Sequence, residues 1–255
     1  MFEKETKALI DALGFEFKGG FLAGGAINSV FTNRAIHDFD LYFKSKEKFI
    51  DALNLAYDEG MWCVGLSNRA ITFKGPGNGD TYQLMRMDWF ETPAAIFDRF
   101  DFTCCMAAID LDSGEMTRHD DFIMDTSRRV LRFNPRTLYP MASALRVLKY
   151  QSRGYTIEKS EMTKILATVA TSGVSSWDQL ADQLGGHYGE SVMIDKDKPF
   201  TPENISAAID NAIAAPHIDM PANAEAAEVA LFGLSPSVIT DAAKSVKNED
   251  FDAIL

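Results

Sequence analysis

The sequence predicts an α+β domain followed by an all-α domain. Up to about residue 115, segments with helical periodicity alternate with short apolar runs that are typical of strands. From about Arg136 onward, helical periodicity predicts one helix after another. Strands in the first half and helices in the second are typical of an α+β domain joined to a helical one. We therefore expect a mixed sheet with helices in residues 1–136 and a helical domain in residues 137–255.

Local patterns place the elements of the first half. Residues 3–13 carry the apolar stripe of an amphipathic helix, and Gly14 is its expected C-cap. Further helices are expected at 26–32, at 45–57 with Ser45 as N-cap, and from Pro93 with Thr92 as N-cap. The expected strands are 15–23, 39–43, 61–66, 70–73, 82–87 and 100–111. On the last of these, the adjacent Cys104 and Cys105 would point to opposite faces.

The expected helices of the second half cover 139–153, 160–171, 176–184, 202–214, 222–234 and 236–246. Ser175, Thr201 and Ser235 are their expected N-caps, because a side-chain oxygen there can accept a hydrogen bond from a backbone N–H of the first turn.

Composition indicates an ordinary soluble globular protein. Of 255 residues, 46% are hydrophobic and 24% are charged. No apolar run reaches the ~18 residues of a membrane span, and the N-terminus lacks the apolar core of a signal peptide. The three cysteines have no metal-binding spacing and form no disulfide framework. We therefore expect a cytoplasmic protein without membrane contact.

Charge argues against broad adhesion to nucleic acid, since the formal net charge is −12. The segment from Arg128 to Lys159 is the exception, with eight arginines and lysines against the single acidic residue Glu158. It is either a local RNA-binding face or a set of arginines paired with acidic neighbours elsewhere.

Residues 21–43 carry the strongest chemical signal. A short apolar run meets the glycine pair Gly24-Gly25, and Asp38 and Asp40 then head a second apolar run. On a strand, residues two apart project from the same face, so the two carboxylates lie side by side. A hard cation such as Mg²⁺ relieves their repulsion and keeps open positions for phosphates. The glycine turn allows close backbone approach and precedes a helix N-terminus, which favours anions.

The chain resembles the nucleotidyltransferases of the DNA polymerase β superfamily, in particular the head and neck of bacterial tRNA CCA-adding enzymes and poly(A) polymerases. Three segments in the family's order carry the resemblance: residues 24–40 (GGAINSVFTNRAIHDFD), 99–110 (RFDFTCCMAAID) and 144–162 (ALRVLKYQSRGYTIEKSEM). The motif residues that match are Gly24, Gly25, Arg34, Asp38, Asp40, Arg99, Asp101, Phe102 and Thr103.

The chain departs from the family at several functional places. The family's Arg-Asp after the glycines is Asn28-Ser29, an Arg of the second motif is Phe100, and its Asn is Cys105. The family's base-selecting Glu-Asp-x-x-Arg motif aligns with Tyr139, Pro140 and Ser143, so specificity for CTP or ATP does not carry over. We also expect the chain to lack the tRNA-holding body and tail of the full-length enzymes.

The resemblance implies transfer of NMP from a nucleoside triphosphate, with Mg²⁺ or Mn²⁺ as cofactor. The catalytic candidates are Asp38, Asp40 and Asp101, and the first two would hold the metal. The nucleotide-binding candidates are Gly24, Gly25, Ser29, Arg34, Arg99, Arg146 and Lys149.

The third carboxylate that normally completes such a site stays open. The place where the resemblance predicts an acidic residue is Gln83. Asp88 lies at the end of the same strand but on the opposite face by parity. Asp101 is the other candidate, although the resemblance places its usual role nearer the sugar of the nucleotide.

Three functions follow as hypotheses. The first is NMP transfer to an acceptor hydroxyl such as an RNA 3′ end, with the basic segment 128–159 in its favour. The second is NMP transfer to a protein or small molecule, which the acidic total favours. The third is a binding module without catalysis, which Gln83, Cys105 and Tyr139 favour.

Overall fold

A seven-stranded mixed sheet organises the first half of the chain. The computed structural model describes residues 2–77, 79–186, 192–211, 213–214 and 220–233. Its central sheet has the strand order β3-β4-β5-β2-β1-β6-β7. The strands are β1 (Gly20–Ala23), β2 (Asp38–Phe43), β3 (Trp62–Leu66), β4 (Ala70–Lys74), β5 (Thr81–Trp89), β6 (Ala107–Asp110) and β7 (Met116–Arg118). Only the β2–β5 pair of this sheet is parallel.

The helices of this half are α1 (Glu3–Leu13), α2 (Gly25–Phe31), α3 (Lys46–Asp58) and α4 (Phe122–Arg128). Two of the predicted helix caps, one at a C-terminus and one at an N-terminus, are confirmed. Gly14 ends α1 at φ +75°, a left-handed conformation that glycine adopts without a Cβ clash. The Ser45 Oγ accepts a hydrogen bond from the N–H of Lys48 and so caps α3.

The predicted strand at 100–111 is partly wrong. Residues Thr103–Cys105 form a 3₁₀ turn, and only Ala107–Asp110 pairs in the sheet. The N–H groups of Cys105 and Met106 donate to the carbonyls three residues back, which is the 3₁₀ pattern. Both Cys104 and Cys105 are buried in the same hydrophobic cluster instead of pointing to opposite faces of a strand. A second 3₁₀ helix covers Pro93–Arg99, and Thr92 makes no side-chain cap bond to it.

Helices dominate the second half: α5 (Pro140–Gln151), α6 (Lys159–Thr171), α7 (Trp177–Gly185), α8 (Pro202–Asp210) and α9 (Ala224–Glu228), which continues as a π-helix over Val229–Gly233. Two short strand pairs, β8 (Val130–Leu131) with β9 (Thr156–Ile157) and β10 (Val192–Met193) with β11 (Ile213–Ala214), accompany them. Among the described helices, none combines the length and the hydropathy that a membrane-spanning helix needs.

The predicted caps of this half differ in outcome. Thr201 caps α8 as expected, whereas α7 is capped by Ser176 instead of Ser175. The predicted extension of α8 to residue 214 is wrong, because Ile213–Ala214 pairs with β10. The predicted helix at 236–246 and its cap Ser235 lie outside the described residues.

Two core layers lie on opposite faces of the sheet. One contains Phe39, Leu41, Tyr82 and Leu84 together with the buried sides of α1, α2 and α3. The other contains residues of α5, the 3₁₀ turns and β6, and so fixes α5 against the sheet. This second layer is what places the helical half beside the carboxylates of β2.

Arg69, in the turn between β3 and β4, makes a further link between the sheet and the helical half. Its guanidinium donates to the Gly186 carbonyl at 2.6 Å and pairs with Asp182 of α7. It also lies 4.5 Å from the centre of the Tyr139 ring, a cation–π distance.

Candidate functional site

A cavity of about 330 Å³ lies between the end of the sheet and α5. Its walls contain eight of the ten predicted site residues: Gly24, Gly25, Ser29, Asp38, Asp40, Asp101, Arg146 and Lys149. Carboxylates come from β2 and from the segment before the 3₁₀ turn, and basic side chains come from α5 and the residues after it. The cavity therefore places negative and positive groups from different elements around one space.

Asp38 and Asp40 lie on one face of β2. Phe39 and Leu41, which alternate with them, are buried in the opposite core layer. This alternation turns both carboxylates toward the cavity, and Asp40 is only 4% exposed. Oxygen donors held in this way suit a hard divalent cation.

Gly24 fits against this pair because it has no side chain. Its φ is +81° with ψ −128°, a region that residues with a Cβ avoid. A Cβ there would lie 3.3 Å from Asp40 Oδ2 and 3.5 Å from the Phe100 ring. The Gly24 N–H, however, donates to the Ala107 carbonyl at 3.2 Å. This N–H is therefore engaged within the chain, and the absence of a side chain at Gly24 allows close packing. The predicted role of the Gly24-Gly25 pair in nucleotide binding stays a prediction.

Asp101 is buried and pairs with Arg146, whose Nη1 lies 3.3 Å from Asp101 Oδ2. Lys149 lines the same cavity one helical turn further along α5. Although much of its side chain is exposed, desolvation at the cavity wall lowers the Lys149 pKa, and the charges of Arg153 and Arg146 lower it further. Three cationic side chains thus crowd one wall, an arrangement that a polyanionic ligand relieves.

Two residues that depart from the nucleotidyltransferase motifs, Cys105 and Asn28, make buried hydrogen bonds. Cys105 Sγ and Tyr150 Oη share a hydrogen bond of 2.7 Å. Burial raises the pKa of Tyr150 well above its ordinary value, so its phenol stays protonated. Asn28, which stands where the family has an arginine, donates to the Cys104 carbonyl and to Tyr155 Oη, both at 2.8 Å. These two departures serve packing between the sheet and the helical half.

The structure separates Gln83, the place where a third carboxylate is expected, from the acidic candidate Asp88. Gln83 of β5 pairs directly with Asp40 of β2. Asp88 lies five residues further along β5, about 16 Å away at the usual rise of a strand, and it pairs with Arg99 at 2.6 Å. Among the described residues, no three histidine, cysteine or acidic side chains form a group that could hold a metal.

Two predicted nucleotide-binding arginines lie outside the first cavity. Arg34 follows α2, where its N–H donates to the Ser29 carbonyl at 2.8 Å, and neither of the two cavities described here includes it in its wall. Arg99 lines an adjoining cavity of about 360 Å³, together with Tyr139 and Ser143. Arg99 also keeps its ion pair with Asp88 there.

The basic segment 128–159 is partly neutralised within the chain. Arg132 pairs with Asp125, Arg136 with Asp98, and Arg146 with Asp101. The interpretation as arginines paired with acidic residues therefore holds for these three, and an RNA-binding face stays a prediction.

Tyr150 and Phe100 line the cavity, although neither is among the site residues predicted from the sequence. Tyr150 could have been found, since it stands four residues after Arg146 and shares its helix face. Phe100 had no comparable signal, because its place depends on the irregular turn before β6.

Comparisons with solved structures show the fold. The structure of a CCA-adding enzyme in complex with CTP matches with a TM-score of 0.53 at 15% identity, over 70% of this chain and 49% of that one. The complex of a CCA-adding enzyme with ATP matches with a TM-score of 0.51 at 17% identity, over 71% and 45% of the two chains. The chain thus has a mixed α/β, nucleotidyltransferase-like fold, as predicted.

A closer relationship appears in sequence. A protein of Bacillus phage SPbetaL7 named "Gabija anti-defense 2" is 36% identical over 194 residues, which are 74% of this chain and 47% of that protein. The chain spans about half the length of this relative. Residues 1–129, slightly more than half of the chain, match the family profile described as "Gabija anti-defense 2 family protein" (Gad2). The chain belongs to the Gabija anti-defense 2 family.

Proposed function

We propose that the protein is a metal-dependent nucleotidyltransferase that moves NMP from a nucleoside triphosphate to an acceptor hydroxyl. The observation that carries this proposal is the single cavity in which Asp38 and Asp40 face Arg146, Lys149 and Arg153. Paired carboxylates suit Mg²⁺ or Mn²⁺, and clustered cations suit a triphosphate. The CCA-adding fold supports the same reading.

In this proposal Asp38 and Asp40 hold the metal, and Asp101 keeps Arg146 in place through their ion pair. The metal would lower the pKa of the attacking hydroxyl and neutralise charge on the pyrophosphate as it leaves. The acceptor oxygen forms a bond to the α-phosphorus while the bond from that phosphorus to the bridging oxygen breaks. Arg146, Lys149 and Arg153 offset the charge of the triphosphate, and Ser29 offers a hydroxyl at the cavity wall.

The adjoining cavity is the proposed place for the base and sugar. Tyr139 and Ser143 line this cavity at the places where the CCA-adding enzymes that the chain resembles select the base. Arg99 also lines it. Arg34 lines neither of these two cavities. Its proposed role is therefore to attract the triphosphate from a distance and not to contact it.

The acceptor is proposed to be a protein. The relative's name, "Gabija anti-defense 2", points to action on a bacterial defence system. The net charge of −12 and the internal ion pairs of segment 128–159 also weaken the case for RNA. An RNA 3′ end and a small molecule are the other acceptors that the chemistry allows.

A cytoplasmic location also stays a prediction.

Nucleotide transfer tests the proposal directly. Purified protein is incubated with each α-³²P-NTP in turn, with Mg²⁺ or Mn²⁺ and with total cellular protein or RNA. Asp38→Ala, Asp40→Ala is the inactive variant. Asp195→Ala, Asp197→Ala is the matched control, since it removes an exposed pair with the same spacing.

We expect labelled protein with the wild type and the control, and at least a 100-fold loss of label in the Asp38, Asp40 variant. Label on RNA would make RNA the acceptor, and salt dependence of binding would then report the phosphate contacts.

A catalytically inactive binding module is the second candidate, because Gln83 occupies the place beside Asp40 where a carboxylate is expected. Tight NTP binding without label from any nucleotide would favour this candidate and contradict transfer.

A further inference from the structure

Gln83 is the side chain next to Asp40 in the sheet. Strands β2 and β5 run parallel, and their register pairs Asp38 with Thr81 and Asp40 with Gln83. Neighbouring strands lie about 4.8 Å apart, and paired residues project from the same face. The amide of Gln83 is therefore within reach of the space that the Asp40 carboxylate faces.

The opposite face of both strands is occupied by core side chains. Phe39 stacks on Tyr82 with ring centres 5.4 Å apart, and Leu41 and Leu84 are buried in the same layer. Since side chains alternate along a strand, Asp40 and Gln83 must both point to the other side. That side is the one on which the cavity lies.

The Gln83 amide oxygen is buried and accepts no hydrogen bond from any described residue. Leaving a buried carbonyl oxygen without a partner costs free energy, so such an atom calls for a ligand or another explanation. Amide oxygens of Asn and Gln are ordinary ligands of hard divalent cations. A cation held by the aspartate pair would give this oxygen its missing partner.

The other acidic candidates are each paired with an arginine. Asp101 is paired with Arg146 and Asp88 with Arg99. The residues described contain no group of three acidic, histidine or cysteine side chains that could bind a metal. A third protein oxygen beside the aspartate pair would therefore come from another residue type, and Gln83 is the register partner of Asp40.

We propose that Gln83 Oε1 is the third protein ligand of a divalent cation held by Asp38 and Asp40, a neutral ligand in place of a third carboxylate. This inference rests on the proposed metal site. It gives the ligand set a charge of −2 instead of −3, and we expect the protein without nucleotide to bind one divalent cation. A second cation requires the oxygens of the bound triphosphate.

Binding of Mn²⁺ followed by electron paramagnetic resonance, without nucleotide, tests the inference independently of catalysis. The variants are Gln83→Leu, which removes the oxygen, and Gln83→Glu, which restores a carboxylate. Gln151→Leu on the exposed surface of α5 is the matched control, and Asp38→Ala, Asp40→Ala defines the site. Circular dichroism confirms that each variant is folded.

We expect one Mn²⁺ per wild-type chain, at least a tenfold higher Kd in Gln83→Leu, and no change in Gln151→Leu. Gln83→Glu should bind Mn²⁺ at least tenfold more tightly or bind a second ion. If Gln83→Leu does not fold, Gln83→Glu alone decides, and unchanged affinity and stoichiometry would overturn the inference.

Failure of the inference differs from failure of the proposed function. If the aspartate variant loses Mn²⁺ but both Gln83 variants match the wild type, Gln83 is not a ligand and the metal site stands. If the aspartate variant still binds Mn²⁺ like the wild type, the proposed metal site is overturned, and the role of Gln83 is overturned with it.

Discussion

Gly24 shows how a single residue permits the carboxylate pair. The segment must turn sharply between β1 and α2, and it does so with a positive φ and an N–H bonded to the Ala107 carbonyl. At the same point the Asp40 carboxylate and the Phe100 ring approach the backbone closely. Any side chain here meets both a backbone restriction and a steric one.

We expect Gly24→Ala to destabilise the fold and to disturb the proposed metal site. We expect a loss of about 3 kcal/mol in the free energy of unfolding, from backbone strain and contact with Asp40 together. Gly60→Ala is the control, because Gly60 also has positive φ (+73°) but has open space around it. It should cost about 1 kcal/mol and leave metal affinity unchanged. Urea denaturation measures the free energy of unfolding of both variants, and Mn²⁺ binding measures their metal affinity. Equal losses of stability in the two variants would contradict the steric part of the argument.

At the scale of elements, α2 is fixed to its surroundings through Asn28. This buried amide joins α2 to the Cys104 carbonyl of the 3₁₀ turn and to Tyr155, which lies between α5 and β9. The helix carries Gly25 and Ser29 into the cavity wall. The position of the wall therefore depends on one side chain that contacts both halves of the chain.

Asn28→Ala leaves the Cys104 carbonyl and Tyr155 hydroxyl without this partner. We expect a loss of about 1–3 kcal/mol in unfolding free energy, since both groups are buried. Asn54→Ala, on the exposed side of α3, removes only a bond to the Ile50 carbonyl and should change stability by less than about 0.5 kcal/mol. Chemical denaturation compares the two, and a loss of no more than 0.5 kcal/mol for Asn28→Ala would show that the bonds contribute little.

At the scale of the whole molecule, residues 220–233 return from the helical half to the sheet domain. Ala227 and Leu231 are buried in the same core layer as α3, and Phe232 packs on Phe49. Arg86 of β5 donates to the Leu231 carbonyl at 2.6 Å, and Tyr57 donates to the Pro221 carbonyl at 2.7 Å. The division at residue 136 stays a prediction, and these contacts make the segment part of the sheet domain's core.

Leu231→Ala should destabilise the sheet domain although it lies almost one hundred residues beyond it. Leu231 is 3% exposed, so the cavity left behind should cost about 2–5 kcal/mol. Val229→Ala is the neighbouring control, since Val229 is 54% exposed and should cost less than about 0.5 kcal/mol. Thermal and urea unfolding measure the effect. Similar small losses in both variants would show that the segment does not contribute to the core.

The sequence by itself determined the features that depend on local spacing. Two aspartates two residues apart before an apolar run must share a face of a strand, and a glycine pair before a helix must mark a tight turn. Helical periodicity likewise fixed the approximate bounds of α1, α3, α5 and α6. In each case the residues that decide the structure lie within a few positions of one another.

Only the tertiary structure decided which distant groups meet. The register between β2 and β5 places Gln83 beside Asp40, and no local pattern contains that register. The burial of Cys104 and Cys105 in a 3₁₀ turn, the bond of the Gly24 N–H to Ala107, and the Asp101–Arg146 pair likewise depend on packing between separate elements. The physical reason is that strand pairing and core packing join residues far apart in the chain, whereas propensity and periodicity act only among neighbours.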